Sequence, residues 1–295
     1  MKYQSLEFLT TKELADLLRI KERRVYDLAS SGDVPCSRAT GKLLFPRKAI
    51  DQWLVENGSG FSALRRKERS LVMVGSHDPL LEWALRESRS GLASLFDCSE
   101  DGLERFKEGD AIGAGLHLYT PKGKQWNVPM VAAELDLRRA VLVEWAWRER
   151  GFIVPAGNPK QIVTIADLKG LRVAARQKGA GTQRLFDHLT FEAEMLPKDF
   201  KMTEPQRSEM DAALKVAEGQ ADVAFGLETI ARQLHLDFIP VIRERYDLLV
   251  CRKGWFDPQF QALMEFTREP KFAQRAEELG GYDISCQWDV RFNGE

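Results

Sequence analysis

Apolar positions in the first 54 residues recur at helical spacing, whereas those beyond residue 70 fall in short runs, each followed by a helical stretch. Leu14, Leu17 and Leu18 form one face behind Thr10-Thr11-Lys12-Glu13, where Thr10 and Glu13 have the S/T-x-x-E spacing of a capping box. Arg19-Ile20-Lys21 breaks that pattern, residues 22–29 resume it, and Ser30-Ser31-Gly32 ends it. Two short helices joined by a few residues predict a helix-turn-helix. Extended arms at 34–38 and 42–46, around Ala39-Thr40-Gly41, predict a hairpin wing. A third helix over 47–54 turns Ile50, Trp53 and Leu54 inward.

Later, the apolar run at 71–74 meets Gly75-Ser76-His77-Asp78-Pro79 and then a helical pattern at 80–85. Further runs follow at 93–96, 111–118, 141–143, 152–155, 171–175 and 221–225. Alternating β and α elements predict an α/β domain with mostly parallel sheets. Ligands of such sheets gather beyond the C-terminal ends of the strands. Three small-residue turns fall there: Gly75-Ser76-His77, Gly113-Ala114-Gly115 and Gly179-Ala180-Gly181-Thr182. Each lets backbone N–H groups approach a ligand near a helix start, which favours an anion. Ser76 and Thr182 add hydroxyls, and Arg176 adds a planar fork suited to an oxyanion. The stretch Gly179-Ala180-Gly181-Thr182-Gln183-Arg184 lacks the lysine of a P-loop and the third glycine of a dinucleotide fingerprint. A purely structural turn stands beside the anion reading.

Composition narrows the class. The 295 residues are 44% hydrophobic and 29% charged, as in ordinary globular chains. No apolar run reaches the ~18 residues of a membrane helix, and residues 1–14 have no signal-peptide core, so a cytoplasmic place is expected. Cys36, Cys98, Cys251 and Cys286 are scattered, without CxxC or a grouping with histidines, and read as reduced thiols; neither a bare metal cation nor a cofactor is expected. Net charge is −1, yet residues 1–70 hold 14 Lys/Arg against 9 Asp/Glu, while the remaining 225 hold 29 against 35. A basic head on an acidic body suggests that the head meets a polyanion. Between them, Gly58-Ser59-Gly60 and the charged run Arg65-Arg66-Lys67-Glu68-Arg69 mark a linker over 58–70, with the domains at 1–57 and 71–295.

The segment LTTKELADLLRIKERRVYDLASSGDVPCSRATGKLLFPRKAIDQWL resembles the excisionase/MerR-type winged helix-turn-helix. It carries that family's T-x-x-E-x-A start, V-Y-x-L second helix, G-x-[IV]-P, G-K turn and D-x-W-L end. The resemblance implies operator DNA as partner, bound by a homodimer or higher homo-oligomer. Lys21, Arg23, Arg24 and Tyr26 are then candidates for the major groove, and Arg38, Lys42, Arg47 and Lys48 for phosphates.

From residue 71 onward the chain resembles a two-lobed, periplasmic-binding-protein-like domain, most similar to the version found behind DNA-binding heads and beside molybdenum-cofactor biosynthesis proteins. GSHD (75–78), GAGLHL (113–118), residues 149–187 and GQADVAFGLETIA (219–231) carry the resemblance. The Arg176 to Thr182 spacing also resembles the R-G-D-x-S-G-T segment of tungstate-binding proteins from importers, which implies molybdate or tungstate held by Arg176, Gly181 and Thr182. Ser76 matches the first-loop hydroxyl, while Ala180 stands where the family has a serine. The resemblance divides the body into lobe 1 (71–147 and 253–295), lobe 2 (158–245) and hinge strands at 148–157 and 246–252. His77, Gly115 and His117, in or after the site turns, and Glu228, after a lobe 2 strand, are further candidate ligand residues; a carboxylate there would repel an oxyanion and, if Glu228 lines the cleft, favours a protonated, amine-bearing or pterin-like ligand. The expected function is a one-component, non-enzymatic transcription regulator that senses a small anion, most simply molybdate, tungstate or a molybdenum-cofactor-related compound. The alternatives are an enzyme on a phosphorylated or pterin substrate, for which no Ser/His/Asp set is visible, and a DNA-architectural protein with a vestigial cleft.

Overall fold

The computed structural model describes residues 7–38, 41–57, 69–134 and 140–293, without the side chains of Gln52, Val55, Glu56 and Asn57. Most of the expected linker (58–68) and two wing-turn residues, Ala39 and Thr40, lie outside the described residues. The chain forms two units, divided between Glu68 and Arg69.

The first unit contains β1 (Phe8–Thr10), α1 (Thr11–Leu18), α2 (Glu22–Ser31), β2 (Leu44–Pro46) and α3 (Arg47–Asn57). The Thr10 hydroxyl accepts the Glu13 N–H at 3.3 Å and the Glu13 carboxylate accepts the Thr10 N–H at 2.8 Å, which completes the capping box. Arg19 and Gly32, both left-handed, end the two helices. Leu9, Leu14, Val25, Phe45 and Ile50 are fully buried, with Trp53 and Leu54 packed against them. The wing is shorter than its sequence pattern: among the described residues β2 pairs with β1 on one side and reaches the other arm only through Ser37 and Leu44. Pro35 has no N–H to donate and Val34 is buried in the core, so the arm at 34–36 is not a strand.

The second unit begins with β3 (Val72–Ser76), α4 (Pro79–Glu87), β4 (Ala93–Asp97), α5 (Ser99–Glu108) and β5 (Gly113–Leu116). A small ribbon, β6 (Tyr119–Thr120) and β7 (Gln125–Trp126), precedes α6 (Val128–Glu134) and β8 (Ala140–Val154). Then come β9 (Arg172–Ala174), α7 (Gly181–Glu192), β10 (Lys201–Met202), α8 (Glu209–Ala217), β11 (Val223–Leu227), α9 (Glu228–Gln233) and β12 (Asp237–Cys251). The C-terminal part holds α10 (Pro258–Phe266), α11 (Pro270–Leu279), β13 (Tyr282–Asp283) and β14 (Val290–Asn293).

The sheet order is β10-β9-β11-β8-β12-β5-β3-β4. It is parallel in each lobe, β4-β3-β5 in one and β10-β9-β11 in the other, and antiparallel where β8 and β12 run between the lobes. Two apolar runs in the sequence, at 141–143 and 152–155, are thus ends of one 15-residue strand. Along one edge of β8, β14 and β13 cover the lobe 1 half and β11 covers the lobe 2 half. The register puts Arg148 opposite Glu244, so the lobes join there and the second crossing begins before residue 246.

Arg69, expected in the linker, belongs to the body. Its guanidinium donates to the Phe106 and Ala111 carbonyls at 2.6 and 2.8 Å and lies 4.3 Å over the Phe106 ring. Gly75, at φ 93°, turns the end of β3 toward α4, and α5 crosses it so closely that a Cβ on Gly102 would overlap the Gly75 Cα. Gly102→Ala removes a helix-interior glycine, worth about 1 kcal/mol on propensity alone, but overpacks this crossing. The expected result in urea unfolding is net destabilisation of about 1–3 kcal/mol; a gain in stability would show that α5 has room to move.

Candidate functional site

β8 and β12 each carry Arg-Glu-Arg in mid-strand, Arg148-Glu149-Arg150 and Arg243-Glu244-Arg245. Alternation sends Arg148, Arg150 and Glu244 inward, all at 1% exposure or less, and leaves Glu149 and Arg243 toward solvent as a 3.3 Å ion pair. Glu244 lies between the two inward arginines, 2.5 Å from Arg148 Nη2 and 2.7 Å from Arg150 Nη2. Burial alone would raise its carboxyl; Arg148, Arg150 and His117 overcome that and hold it well below the ordinary range.

From this centre the network enters both lobes. On the lobe 1 side, Arg148 Nη1 donates to Asp78 at 2.9 Å, and Asp78 also accepts from Trp145, Tyr282 and the Leu81 N–H as the N-cap of α4. His117 places Nδ1 3.1 Å from Glu244 and Nε2 2.8 Å from the Ser76 hydroxyl. Burial pushes the imidazole below the usual histidine range, with Glu244 opposing. Because an ionised Glu244 can only accept, the ring proton belongs on Nδ1 and Nε2 accepts from Ser76. Ser76 is therefore inside the cluster, but its O–H is committed to His117. On the lobe 2 side, Arg150 Nη1 reaches the Thr182 hydroxyl at 3.0 Å and Glu209 at 2.8 Å.

Arg176 stands just before α7. Its backbone N–H donates to the Gln183 side chain at 2.8 Å and its Nη1 to the Gln206 carbonyl at 2.5 Å, while its Nε is buried without a hydrogen-bond partner. The lobes touch at this helix start. A Cβ on Gly181 would lie 2.8 Å from the His117 ring and from the His117 carbonyl. Gln177 and Arg184 of lobe 2 bond Asp97 and Glu100 of lobe 1 at the rim.

Ser76, His117, Gly181, Thr182 and Arg176 therefore converge. Other candidates lie elsewhere. His77 is exposed, bonded to Glu82 at 3.0 Å, and lines a groove of about 200 Å³ with Trp83, Arg86, Met210 and Ile230. Glu228 pairs with Arg232 at 2.6 Å and packs against Gly281, because the intrahelical cation one turn on takes its carboxylate. Gly115 is in strand β5 rather than a turn: any side chain there would strike the Tyr246 ring. Sequence reading missed Asp78 as an organiser, and Arg148, Arg150, Glu209 and Glu244 altogether. It also missed the Ser76–His117–Glu244 chain, whose members are 41 and 127 residues apart. The legible signal was a charged triplet inside a long apolar strand, occurring twice.

On the head, α2 buries Val25 and Ala29 and exposes Arg23, Arg24 and Tyr26, with its N-cap Lys21 also exposed. Lys42 and Lys48 are exposed; Arg38 donates to the Ala29 carbonyl at 3.3 Å, and Arg47 pairs with Asp51 at 3.1 Å, so both also brace the head. No helix among the described residues is long and apolar enough to cross a membrane.

These features define a two-lobed binding-protein fold following a DNA-binding head. The PBP superfamily domain matches residues 82–268, more than half of the sequence, and a helix-turn-helix domain matches residues 8–58. The chain belongs to the PBP superfamily. It is 27% identical over 308 aligned positions to the uncharacterized protein YvgK of Bacillus subtilis (strain 168), covering 95% of this chain and 96% of that one. A Clostridium pasteurianum protein from the 5′ region of a 2Fe-2S ferredoxin gene is 39% identical over 79 residues, 26% of this chain and 70% of that protein. Among solved structures, one described as a phosphate ABC transporter substrate-binding protein with bound phosphate, from Clostridium perfringens, has a TM-score of 0.53 at 11% identity. It covers 75% of this chain and 99% of its own. The sulfate-binding protein SubI of Mycobacterium tuberculosis H37Rv has a TM-score of 0.50 at 15% identity, over 72% of this chain and 84% of SubI. At these identities the shared feature is the fold.

Glu244→Gln keeps the shape but withdraws the counter-charge from two buried guanidiniums. It should lower the stability of the body by about 3–5 kcal/mol in denaturant unfolding; a loss under about 1 kcal/mol would mean that Arg148 and Arg150 find other partners.

Proposed function

We propose that the protein is a one-component transcription regulator whose head binds operator DNA as a homodimer or higher homo-oligomer and whose cleft senses a small oxyanion. Molybdate and tungstate, or a compound related to the molybdenum cofactor, are the favoured ligands. The observation that carries this reading is Arg176, a buried guanidinium with an unpartnered Nε beside the start of a 12-residue helix that opens with Gly181 and Thr182. An arginine fork, a hydroxyl and free N–H groups at a helix start are the donors that a tetrahedral anion takes. The fold is compatible, since neighbours sharing it include a protein with bound phosphate and a sulfate-binding protein. A ligand touching both lobes stabilises their closed arrangement by the contacts made only there, and the paired heads read that change as a coupling free energy, commonly about 1–3 kcal/mol.

Calorimetric titration with molybdate, tungstate, sulfate and phosphate tests the sensor. Micromolar or tighter binding of one oxyanion, weakened at least tenfold in Arg176→Ala and Thr182→Ala, is the expected result. No heat from any of the four, in the wild type and in Glu209→Gln alike, would overturn the oxyanion reading.

For the head, Lys42→Ala and Lys48→Ala should weaken binding to any mixed-sequence duplex and each reduce the slope of log K against log salt by about 1. An unchanged slope in fluorescence anisotropy would remove both lysines from the phosphate contacts.

A further inference from the structure

Thr182, through which the proposed oxyanion would be held, already faces a carboxylate of the chain itself. Glu209, in the first turn of α8, accepts the Thr182 hydroxyl at 2.6 Å and the Leu227 N–H at 3.3 Å, and pairs with Arg150 at 2.8 Å. Thr182 receives a hydrogen from Arg150 at 3.0 Å, so its own proton goes to Glu209. Arg176 supplies a second positive field. A hydroxyl, a backbone amide and a paired guanidinium around one carboxylate are the surroundings of a bound oxyanion.

Resting on the oxyanion reading of this cleft, we infer that Glu209 is a tethered competitor: an anion gains Thr182 and Arg150 only when the Glu209 carboxylate leaves them, so this side chain sets the sensor's affinity threshold. Two anions cannot share one hydroxyl proton, and each raises the energy of the other in a site of low dielectric. Glu209 also has a way out. Its side chain is 15% exposed, and the next residue, Met210, lines the groove between the lobes. Ser208 and Asp211 close a capping box at the start of α8, so the backbone holds while the side chain turns. Three guanidiniums (Arg148, Arg150, Arg176) meet three carboxylates (Asp78, Glu209, Glu244) in the cluster, so Glu209 is also the charge that an arriving anion replaces. Burial raises its carboxyl but Arg150 and Arg176 outweigh that and bring it to about 2, so the competition persists at neutral pH.

The test is calorimetric titration of the full chain with molybdate, tungstate, sulfate and phosphate, in the wild type, Glu209→Gln and Glu209→Asp, with a thermal melt of each. Glu209→Gln removes the competing charge and should bind the preferred anion at least tenfold more tightly. Glu209→Asp keeps the charge for folding but draws the carboxylate back from Thr182, and should tighten binding at least threefold; if Glu209→Gln does not fold, this variant decides alone. Binding by the variants only would support the competitor and put the wild-type threshold above the concentrations used. Equal or weaker binding in folded variants, beside a wild type that binds, would overturn the competitor and leave the oxyanion reading intact. No binding by any form would overturn both.

Discussion

The placement of Glu244 between Arg148 and Arg150 is the constraint on which the body depends. Two guanidiniums and a carboxylate are fully buried at the point where β8 and β12 pass between the lobes. Charges cannot be withdrawn from water there unless each finds a partner. The partners come from every direction: Asp78 as the N-cap of α4, His117 after β5, Thr182 at the start of α7 and Glu209 at the start of α8. The strands that join the lobes and the side chains that line the cleft are therefore one electrostatic network. A change at the cleft is a change at the joint.

For the proposed sensor, that arrangement supplies a physical route from binding to motion. Arg150 belongs to a strand shared by both lobes but spends its Nη1 on lobe 2 groups, while Arg148, two residues earlier, spends its Nη1 on lobe 1. Moving one lobe must re-aim one guanidinium against a fixed Glu244. Such a cluster has few satisfactory arrangements, which favours discrete states over gradual deformation. In this structure Gly181 lies against His117, and the rim pairs Arg184–Glu100 and Gln177–Asp97 join the lobes.

Much of this was legible in the chain because the relevant signals are local. The Thr10–Glu13 capping box, the glycine after α2 and the apolar face of α1 are decided within a few residues, and the head follows them closely. A helix behind Arg176 was legible for the same reason, although it opens at Gly181, inside the expected turn, rather than after Thr182. What misled was also local: Gly113-Ala114-Gly115 has turn composition, yet it is a strand because Met73 and Tyr246 fill the space where side chains would stand. Glu228 looked like a cleft carboxylate until Arg232, one helical turn on, took it.

The sequence by itself determined the two-part plan, the basic head on an acidic body, the helix-turn-helix and the β-α alternation, since periodicity, capping and charge balance act over short distances. Only the tertiary structure decided which polar groups meet. Glu209 reaches Thr182 across 27 residues, Arg148 reaches Glu244 across 96, and His117 reaches Glu244 across 127. The physical reason is that a buried charge is stabilised by whatever the sheet register places opposite it, and register is a property of paired strands, not of either strand alone.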